Sequence, residues 1–127
     1  MQILLDTHTF LWIIEGKNLS LNAKQAFLDS ENQIYFSVVS YWEICIKYSL
    51  GKLELVPNWP QLFDKEIEIN GIQWLAIEKE HSLGIINLAM LHRDPFDRLL
   101  IAQARAEGLT ILTSDSQIKN YDVATLW

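Results

Sequence analysis

Short apolar runs alternate along this chain with segments that carry helix-capping signals, and this alternation limits the possible folds more than any other feature. Five runs rich in apolar, β-branched or aromatic residues predict strands, at Ile3–Leu5, Ile34–Val39, Gln73–Ile77, Leu109–Thr113 and Val123–Thr125. Helices are predicted at Leu19–Ser30, Tyr41–Leu50, Gln61–Ile69, Glu78–Leu91, Pro95–Glu107 and Gln117–Asn120. Strands that alternate with helices predict an α/β fold with a mostly parallel sheet.

Two of the predicted helices have clear boundary signals. Asp94 is a favourable N-cap, Pro95 suits the first helical position and Gly108 suits the position after the last turn. Ser40-x-x-Glu43 has the spacing of a capping box, so Ser40 is expected to cap the helix that follows it. Both helices therefore open with an acidic side chain in or near the first turn.

Length and composition bound the class of protein. The 127 residues, half of them hydrophobic, predict a single domain over residues 1–127. The net charge of −6 disfavours a binder with a broad basic face, but it permits an enzyme that meets nucleic acid through metal ions. The single cysteine, Cys45, excludes an internal disulfide and is expected to be a buried, inert thiol.

No feature of the sequence predicts a membrane or an export signal. No apolar stretch approaches the ~18 residues of a membrane-spanning helix. The segment Met1–Asp6 lacks a basic region and reaches an acidic residue at once, unlike a signal peptide. We therefore expect a soluble cytoplasmic protein.

Four acidic residues follow predicted strands or begin a predicted helix beside them: Asp6, Glu43, Asp97 and Asp115. The carboxyl ends of parallel strands are the usual ligand-binding edge of such a sheet. Four carboxylates that converge there repel one another unless cations or protons intervene. All-oxygen ligand sets of this kind suit Mg²⁺ or Mn²⁺. The placement favours a metal site at the sheet edge.

Each acid also has a local structural explanation. The capping box accounts for Glu43, and a favourable first-turn position accounts for Asp97. Asp115 suits a turn or a helix cap. Asp6 is the hardest to explain in this way, because an acid at the end of a buried strand needs a partner. Taken singly, the acids leave a structural role and a site role equally open.

The same residues lie in segments that resemble the PIN domain, and within it the VapC-type toxins of bacterial type II toxin–antitoxin pairs. The matching segments are Leu4–Trp12, Val39–Ile44, His92–Ala104 and Ile111–Asp115. They occur in the family's order and extend over essentially the whole chain. The third, which begins His92-Arg93-Asp94-Pro95-Phe96-Asp97-Arg98, is long and specific, whereas a lone Thr-x-Asp would not be.

The resemblance implies a three-layer α/β/α domain with a central parallel sheet, and an endoribonuclease that hydrolyses RNA with Mg²⁺ or Mn²⁺. It places Asp6, Glu43, Asp97 and Asp115 at the family's acidic positions. It implies metal ligation by Asp6, Asp97 and Asp115, with Glu43 orienting or deprotonating water or sharing a second ion. Asp94 is better explained as a helix cap than as a ligand.

The chain departs from the family pattern at two places. The further acid that some members carry is missing, since Ser116, Gln117 and Ile118 follow Asp115. A second metal is therefore expected either to be weakly held or to arrive with the substrate. The proline that often precedes the motif's histidine is absent from residues 87–91. This puts the shape of that loop in doubt, but not the chemistry.

Residues beside the acids are candidates for supporting roles. Thr7, Ser40 and Ser114 adjoin acids and are expected either to orient them or contact phosphate, or to serve as plain caps and turns. Arg93 and Arg98 are candidates for contacts with RNA phosphate. An i,i+4 pair of Arg98 with Asp94 is the preferred alternative. His8 and His92 are given no catalytic role, because oxygen-ligand sites need no histidine.

The resemblance also implies partners: an RNA substrate, a small antitoxin whose tail lies across the active site, and a second copy in a homodimer. The apolar helix Trp42–Leu50 is a candidate dimer surface, with a core role equally open.

Three other functions are alternatives to a metal-dependent endoribonuclease. They are a catalytically weak PIN module that binds RNA or protein, a nuclease that cuts DNA, and a phosphorelay receiver domain. The receiver is disfavoured because Asp6 stands alone and Leu109–Thr113 leads to Ser114-Asp115 and not to lysine.

Overall fold

A five-stranded parallel sheet forms the centre of the computed structural model, which describes all residues from 1 to 127. The strands are β1 (Gln2–Leu5), β2 (Gln33–Ser37), β3 (Gln73–Leu75), β4 (Thr110–Leu112) and β5 (Thr125–Leu126). Their spatial order is β3-β2-β1-β4-β5, and every neighbouring pair is parallel. The order reverses direction at β1, and the carboxyl ends beside such a reversal form the expected ligand-binding crevice.

Seven helices and a short 3₁₀ turn connect the strands. The helices are α1 (Thr7–Glu15), α2 (Leu21–Leu28), α3 (Val38–Ser49), α4 (Trp59–Ile69), α5 (Lys79–Gly84), α6 (Pro95–Glu107) and α7 (Ser116–Lys119), and the 3₁₀ turn is Ile85–Asn87. None of the helices is long and apolar enough to cross a membrane.

The central strand divides the core into two layers. Ile3 and Leu5 of β1 pack into a cluster with apolar residues of α1, α2, α3 and α4, whereas Leu4 packs into a second cluster with residues of α6 and α7. This alternation follows from the two-residue period of a strand, which sends successive side chains to opposite faces. The expected three-layer α/β/α architecture is therefore confirmed.

The structure corrects the predicted start of α3. Ser37, not Ser40, is the N-cap, and its side chain accepts a hydrogen bond from the Val39 N–H. Ser40 and Glu43 lie inside the helix, so the predicted capping box does not exist. The error arose because Val38 and Val39 have strand propensity but begin the helix. Because the capping box was the local structural explanation for Glu43, that explanation no longer holds.

Helix α1 was not predicted at all. Its sequence, from Thr7 to Glu15, is rich in β-branched and aromatic residues that have modest helix propensity, and burial of Phe10 and Leu11 outweighs this. The segment Glu78–Leu91, predicted as helical, contains only α5 and the 3₁₀ turn. The last strand lies at residues 125–126, slightly beyond the predicted Val123–Thr125.

Candidate active site

Asp6 ties together the ends of the two central strands. It follows β1 and caps α1, with its Oδ1 accepting a 2.7 Å hydrogen bond from the Thr9 N–H. Its Oδ2 accepts a short hydrogen bond from the hydroxyl of Thr113, which follows β4. Burial raises the pKa of Asp6, and the hydrogen bonds from Thr113 and Thr9 offset only part of this effect. The carboxylate is thus held rigidly at the sheet edge, at a cost that a nearby cation would reduce.

Glu43 is the second buried carboxylate, and it points from α3 toward the start of α1. The Thr7 hydroxyl donates to Glu43 Oε1 at 2.6 Å, and the Ser40 hydroxyl lies 2.9 Å from the Thr7 oxygen. Because Thr7 has one hydroxyl hydrogen and gives it to the carboxylate, Ser40 supplies the hydrogen of the second bond. Two of the predicted supporting residues, Thr7 and Ser40, therefore form a chain of hydrogen bonds that ends on Glu43.

Lys47 occupies the other side of Glu43. Its ammonium group donates to Glu43 Oε2 at 2.5 Å, one helical turn further along α3. Burial lowers the pKa of Lys47, but the hydrogen bond and charge of Glu43, with the charges of Asp94 and Asp97, raise it by more. The lysine therefore pairs with Glu43, and its charge compensates part of the negative charge at the site.

Asp97 lies in the first turn of α6 and accepts a hydrogen bond from His92. The His92 Nε2 is 3.0 Å from Asp97 Oδ2, and its Nδ1 is 2.7 Å from the hydroxyl of Tyr121. That hydroxyl oxygen already accepts from the His92 N–H and from Arg98 Nη1, so its own hydrogen goes to Nδ1. The hydrogen bonds therefore place a proton on His92 Nε2, aimed at Asp97.

The pKa of Asp97 is raised to about 6. Burial is the largest cause, the negative charges of Asp94 and Asp115 add to it, and the hydrogen bond from His92 opposes it. A raised carboxylate pKa beside other carboxylates is a common feature of functional sites.

Asp115 and Asp94 both cap helices. Asp115 Oδ1 accepts from the Gln117 N–H at 2.8 Å at the start of α7. Asp94 Oδ1 accepts from the Phe96 and Asp97 N–H groups at 2.9 and 3.2 Å, as predicted for the cap of α6. The other Asp115 oxygen makes no hydrogen bond, so this carboxylate can act as a cap and still bind a ligand.

The four acids surround the carboxyl ends of β1, β2 and β4, and their donor chemistry fits a hard divalent cation. Each carboxylate is fixed through no more than one hydrogen bond per oxygen, which leaves lone pairs for a metal. No three carboxylates, histidines or cysteines are placed to hold one ion together as they stand. Holding one ion with three of these groups would therefore require side-chain adjustment, and one oxygen each of Asp97 and Asp115 makes no hydrogen bond that would oppose it.

The remaining predicted residues are placed less favourably. Ser114 is exposed and makes no side-chain hydrogen bond, whereas its neighbour Thr113 contacts Asp6. The preferred pair of Arg98 with Asp94 is absent, since Arg98 Nη1 bonds to the Ala89 carbonyl and the Tyr121 hydroxyl. Arg93 is exposed and pairs with no acid. Cys45, expected to be buried, is half-buried.

Sequence reasoning missed four residues that contact the acids or their partners: Thr9, Lys47, Thr113 and Tyr121. It considered His92 but assigned it no contact with Asp97. Lys47 carried a usable signal, because Glu43 and Lys47 have the i,i+4 spacing of a helical ion pair. Tyr121 carried none, because its contact with His92 depends on how α7 folds back toward the loop before α6.

Comparison with known proteins identifies the family. The family model for the PIN domain matches residues 3–124. The chain belongs to the PIN domain family. The resemblance inferred from the sequence motifs is thereby confirmed.

The individual relatives share only modest sequence identity with this chain. Ribonuclease VapC22 of Mycobacterium tuberculosis is 24% identical over 123 residues, covering 94% of this chain and 91% of that protein. The structure of VapBC2 from Rickettsia felis, bound to a DNA fragment from its promoter, aligns with a TM-score of 0.77 and 17% identity over 99% of this chain and 98% of that one. FitAcB from Neisseria gonorrhoeae aligns with a TM-score of 0.66 and 20% identity over 98% and 96%.

Proposed function

We propose that this PIN domain is a metal-dependent endoribonuclease, and that it is the toxin of a VapC-type toxin–antitoxin pair. The observation that carries the proposal is the set of carboxylates around the ends of β1, β2 and β4, each fixed by its own hydrogen bonds. Fixed carboxylates at a sheet edge are suited to binding hard cations next to a phosphodiester. The ribonuclease named among the relatives supports the choice of RNA.

The side chains divide the work. Asp6, Asp97 and Asp115 would hold Mg²⁺ or Mn²⁺, with Thr113 and His92 keeping Asp6 and Asp97 in place. When bound, such a cation supplies an acidified water and neutralises charge on the phosphate. Glu43 would orient the attacking water or accept its proton, and Lys47 keeps Glu43 in position.

The toxin role rests on the relatives. The aligned structures include VapBC assemblies from several bacteria, so we propose that this chain also binds a small antitoxin protein and forms a homodimer. Trp42, on α3, is half-exposed and packs edge-on against Phe96 of α6 close to the acids. An exposed tryptophan beside the site is compatible with either protein partner.

Two variants matched in charge and shape test the nuclease assignment. Purified protein is expected to cut single-stranded RNA with Mg²⁺ or Mn²⁺, to stop in EDTA and to resume when metal is restored. Asp6→Asn is expected to reduce cleavage more than ~100-fold, because it removes a ligand charge. Asp94→Asn removes the same charge nearby but leaves a good N-cap, and should keep most activity.

Circular dichroism establishes that both variants fold. Full activity of folded Asp6→Asn would contradict the assignment. Equal activity of wild type in EDTA and in metal would contradict the metal dependence. Cleavage of DNA but not RNA would favour the DNA-nuclease alternative, and binding of RNA without any cleavage would favour a non-catalytic PIN module.

A further inference from the structure

A cavity beside the acidic site is lined by two arginines. Its volume is about 380 Å³, and its walls are Ile85, Met90, Arg93, Pro95 and Arg98. The chain has only three arginines and a net charge of −6, so two of three guanidinium groups facing one cavity is a marked concentration of positive charge. Guanidinium groups recognise phosphate and carboxylate through paired hydrogen bonds.

Arg98 is a buried cation without an acidic partner. Its side chain is on a residue only 6% exposed, and no ion pair involves it. Its Nη1 donates at 2.9 Å to the Ala89 carbonyl and at 2.9 Å to the Tyr121 hydroxyl, which are both neutral. A buried charge with only neutral acceptors is costly, and an anion would repay part of that cost.

The other nitrogens of Arg98 are free to donate. Nε and Nη2 make no hydrogen bond within the protein, yet no buried side-chain nitrogen of the chain is left without a partner. Both nitrogens must therefore retain contact with solvent, and the cavity is the space that Arg98 lines. Arg93, exposed and without an acidic partner, lines the same space.

A chain of hydrogen bonds connects this cavity to the acidic site. Arg98 Nη1 contacts the Tyr121 hydroxyl, that hydroxyl contacts His92 Nδ1, and His92 Nε2 contacts Asp97. One imidazole ring and one hydroxyl group thus separate the guanidinium from a carboxylate of the site. Because Arg98 also directly follows Asp97 in α6, the cavity lies close to the acidic site.

We propose that Arg93 and Arg98 form a subsite for a phosphate of single-stranded RNA that neighbours the phosphodiester being cleaved. The subsite rests on the proposed nuclease function for the choice of RNA. A protein carboxylate has the same charge, but only a phosphodiester strand must carry a second anion at a fixed short spacing from the first. The two guanidinium groups give the negatively charged chain a local attraction for RNA beside its acidic centre.

The test is a salt titration of RNA binding in EDTA, where metal-dependent cleavage is silent. Affinity of a short single-stranded RNA is measured by fluorescence anisotropy for wild type, Arg93→Ala and Arg105→Ala. Arg105, near the far end of α6, is the matched control because its loss changes net charge equally. Arg93→Ala is expected to weaken binding roughly fivefold or more, and to reduce the slope of log K against log salt by about 0.7.

Replacing single phosphates by neutral methylphosphonates locates the contact. One such substitution is expected to weaken wild-type binding and to leave Arg93→Ala unaffected, because the same contact is already lost. Arg98→Lys keeps the charge but loses the planar fork, and is expected to weaken binding less than Arg93→Ala. If Arg98→Lys fails to fold, the Arg93 and phosphate series still decide the question.

Several results would overturn the subsite. Equal effects of Arg93→Ala and Arg105→Ala on RNA affinity, or an unchanged salt slope in Arg93→Ala, would do so. So would a wild-type protein that binds no RNA. The same holds if Arg93→Ala binds RNA normally and loses only the binding of a protein partner. Arg93-dependent RNA binding by a wild-type protein that cuts nothing in Mg²⁺ or Mn²⁺ would support the subsite and reject the nuclease. Cleavage with no role for Arg93 in binding would reject the subsite alone.

Discussion

Each end of helix α6 carries an acid that pairs with a histidine, and the surroundings of the two pairs differ. At its start, His92 Nε2 donates to Asp97 at 3.0 Å, and near its end, His81 Nε2 lies 2.9 Å from Glu107. In both pairs Nδ1 accepts a hydrogen bond, from the Tyr121 hydroxyl in one and from the Glu78 N–H in the other. In both pairs the histidine therefore donates to its acid from Nε2.

The two pairs differ in the exposure and the neighbours of their carboxylates. Glu107 is 45% exposed, whereas Asp97 is 17% exposed and lies among Asp94, Asp115 and Lys47. His81 itself is almost fully buried, and its contacts with the Glu78 N–H and Gln103 join the start of α5 to α6. We therefore propose that the pair stabilises the fold where its acid faces water, and that it positions a metal ligand where its acid is crowded by like charges.

Replacing each of the two acids by its amide is expected to give the largest difference between the pairs, measured as RNA cleavage. Asp97→Asn should reduce RNA cleavage by more than ~100-fold, because it removes a charge from the proposed ligand set. Glu107→Gln should leave cleavage within about twofold, since an exposed carboxylate far from the sheet edge affects mainly local stability. Initial rates with Mn²⁺ on one RNA measure both. Similar losses in the two variants would mean that the pairs do not differ in function.

Exchanging the two histidines for alanine should separate function from stability. His92→Ala is expected to reduce cleavage and Mn²⁺ affinity by about 10- to 100-fold, the usual effect of removing a group that orients a metal ligand. His81→Ala should instead lower the free energy of unfolding by roughly 2–3 kcal/mol, because it leaves a cavity and an unpaired Glu78 N–H.

Calorimetric Mn²⁺ titration and denaturant unfolding measure these two effects. Activity per folded molecule should be unchanged in His81→Ala. If His92→Ala lost stability but bound Mn²⁺ normally, both histidines would be structural and the contrast would disappear.

How far the sequence could predict this contrast depends on the range of the interactions. Helix α6 was predicted with its observed bounds, because Asp94, Pro95 and Gly108 are local signals that tertiary contacts reinforce. The strand order and the partners of the two histidines are set by residues distant in the chain, such as Tyr121 for His92 and Glu107 for His81. The acids were expected at one edge of the sheet because they follow predicted strands or begin a predicted helix, and the family resemblance pointed to the same four residues.

Errors in the sequence interpretation came from local signals that tertiary packing overrode. Ser40-x-x-Glu43 has the spacing of a capping box, yet Ser37 caps the helix and Ser40 contacts Thr7. Arg98 and Asp94 have the spacing of an i,i+4 pair, yet the Tyr121 hydroxyl and the Ala89 carbonyl take the guanidinium. In both places the local spacing was correct, and a long-range partner determined the contact made.

The smallest expected effect is on stability without metal, and it also tests the difference between the two ends of α6. The pKa of Asp97 is about 6 in the folded protein against 3.8 for an unperturbed side chain, chiefly because of burial. Between these values the folded state binds more protons than the unfolded state, so this contribution to stability is present below about pH 4 and is lost as pH rises through 6. In EDTA at pH 7.5, Asp97→Asn should therefore be more stable than wild type by roughly 1–2 kcal/mol, less than the full pKa difference implies because the carboxylate is partly solvated.

Urea unfolding from pH 4 to pH 8, with Glu107→Gln as the reference from the exposed end, measures this difference. The advantage of Asp97→Asn should shrink toward pH 4, where wild-type Asp97 is neutral, and should shrink again when Mn²⁺ is added at pH 7.5, because a bound cation stabilises the ionised wild-type carboxylate. An advantage that did not vary with pH would mean that the Asp97 charge is not what destabilises this end. An advantage that varied with pH but not with Mn²⁺ would mean that the crowded acids strain the fold without binding a cation.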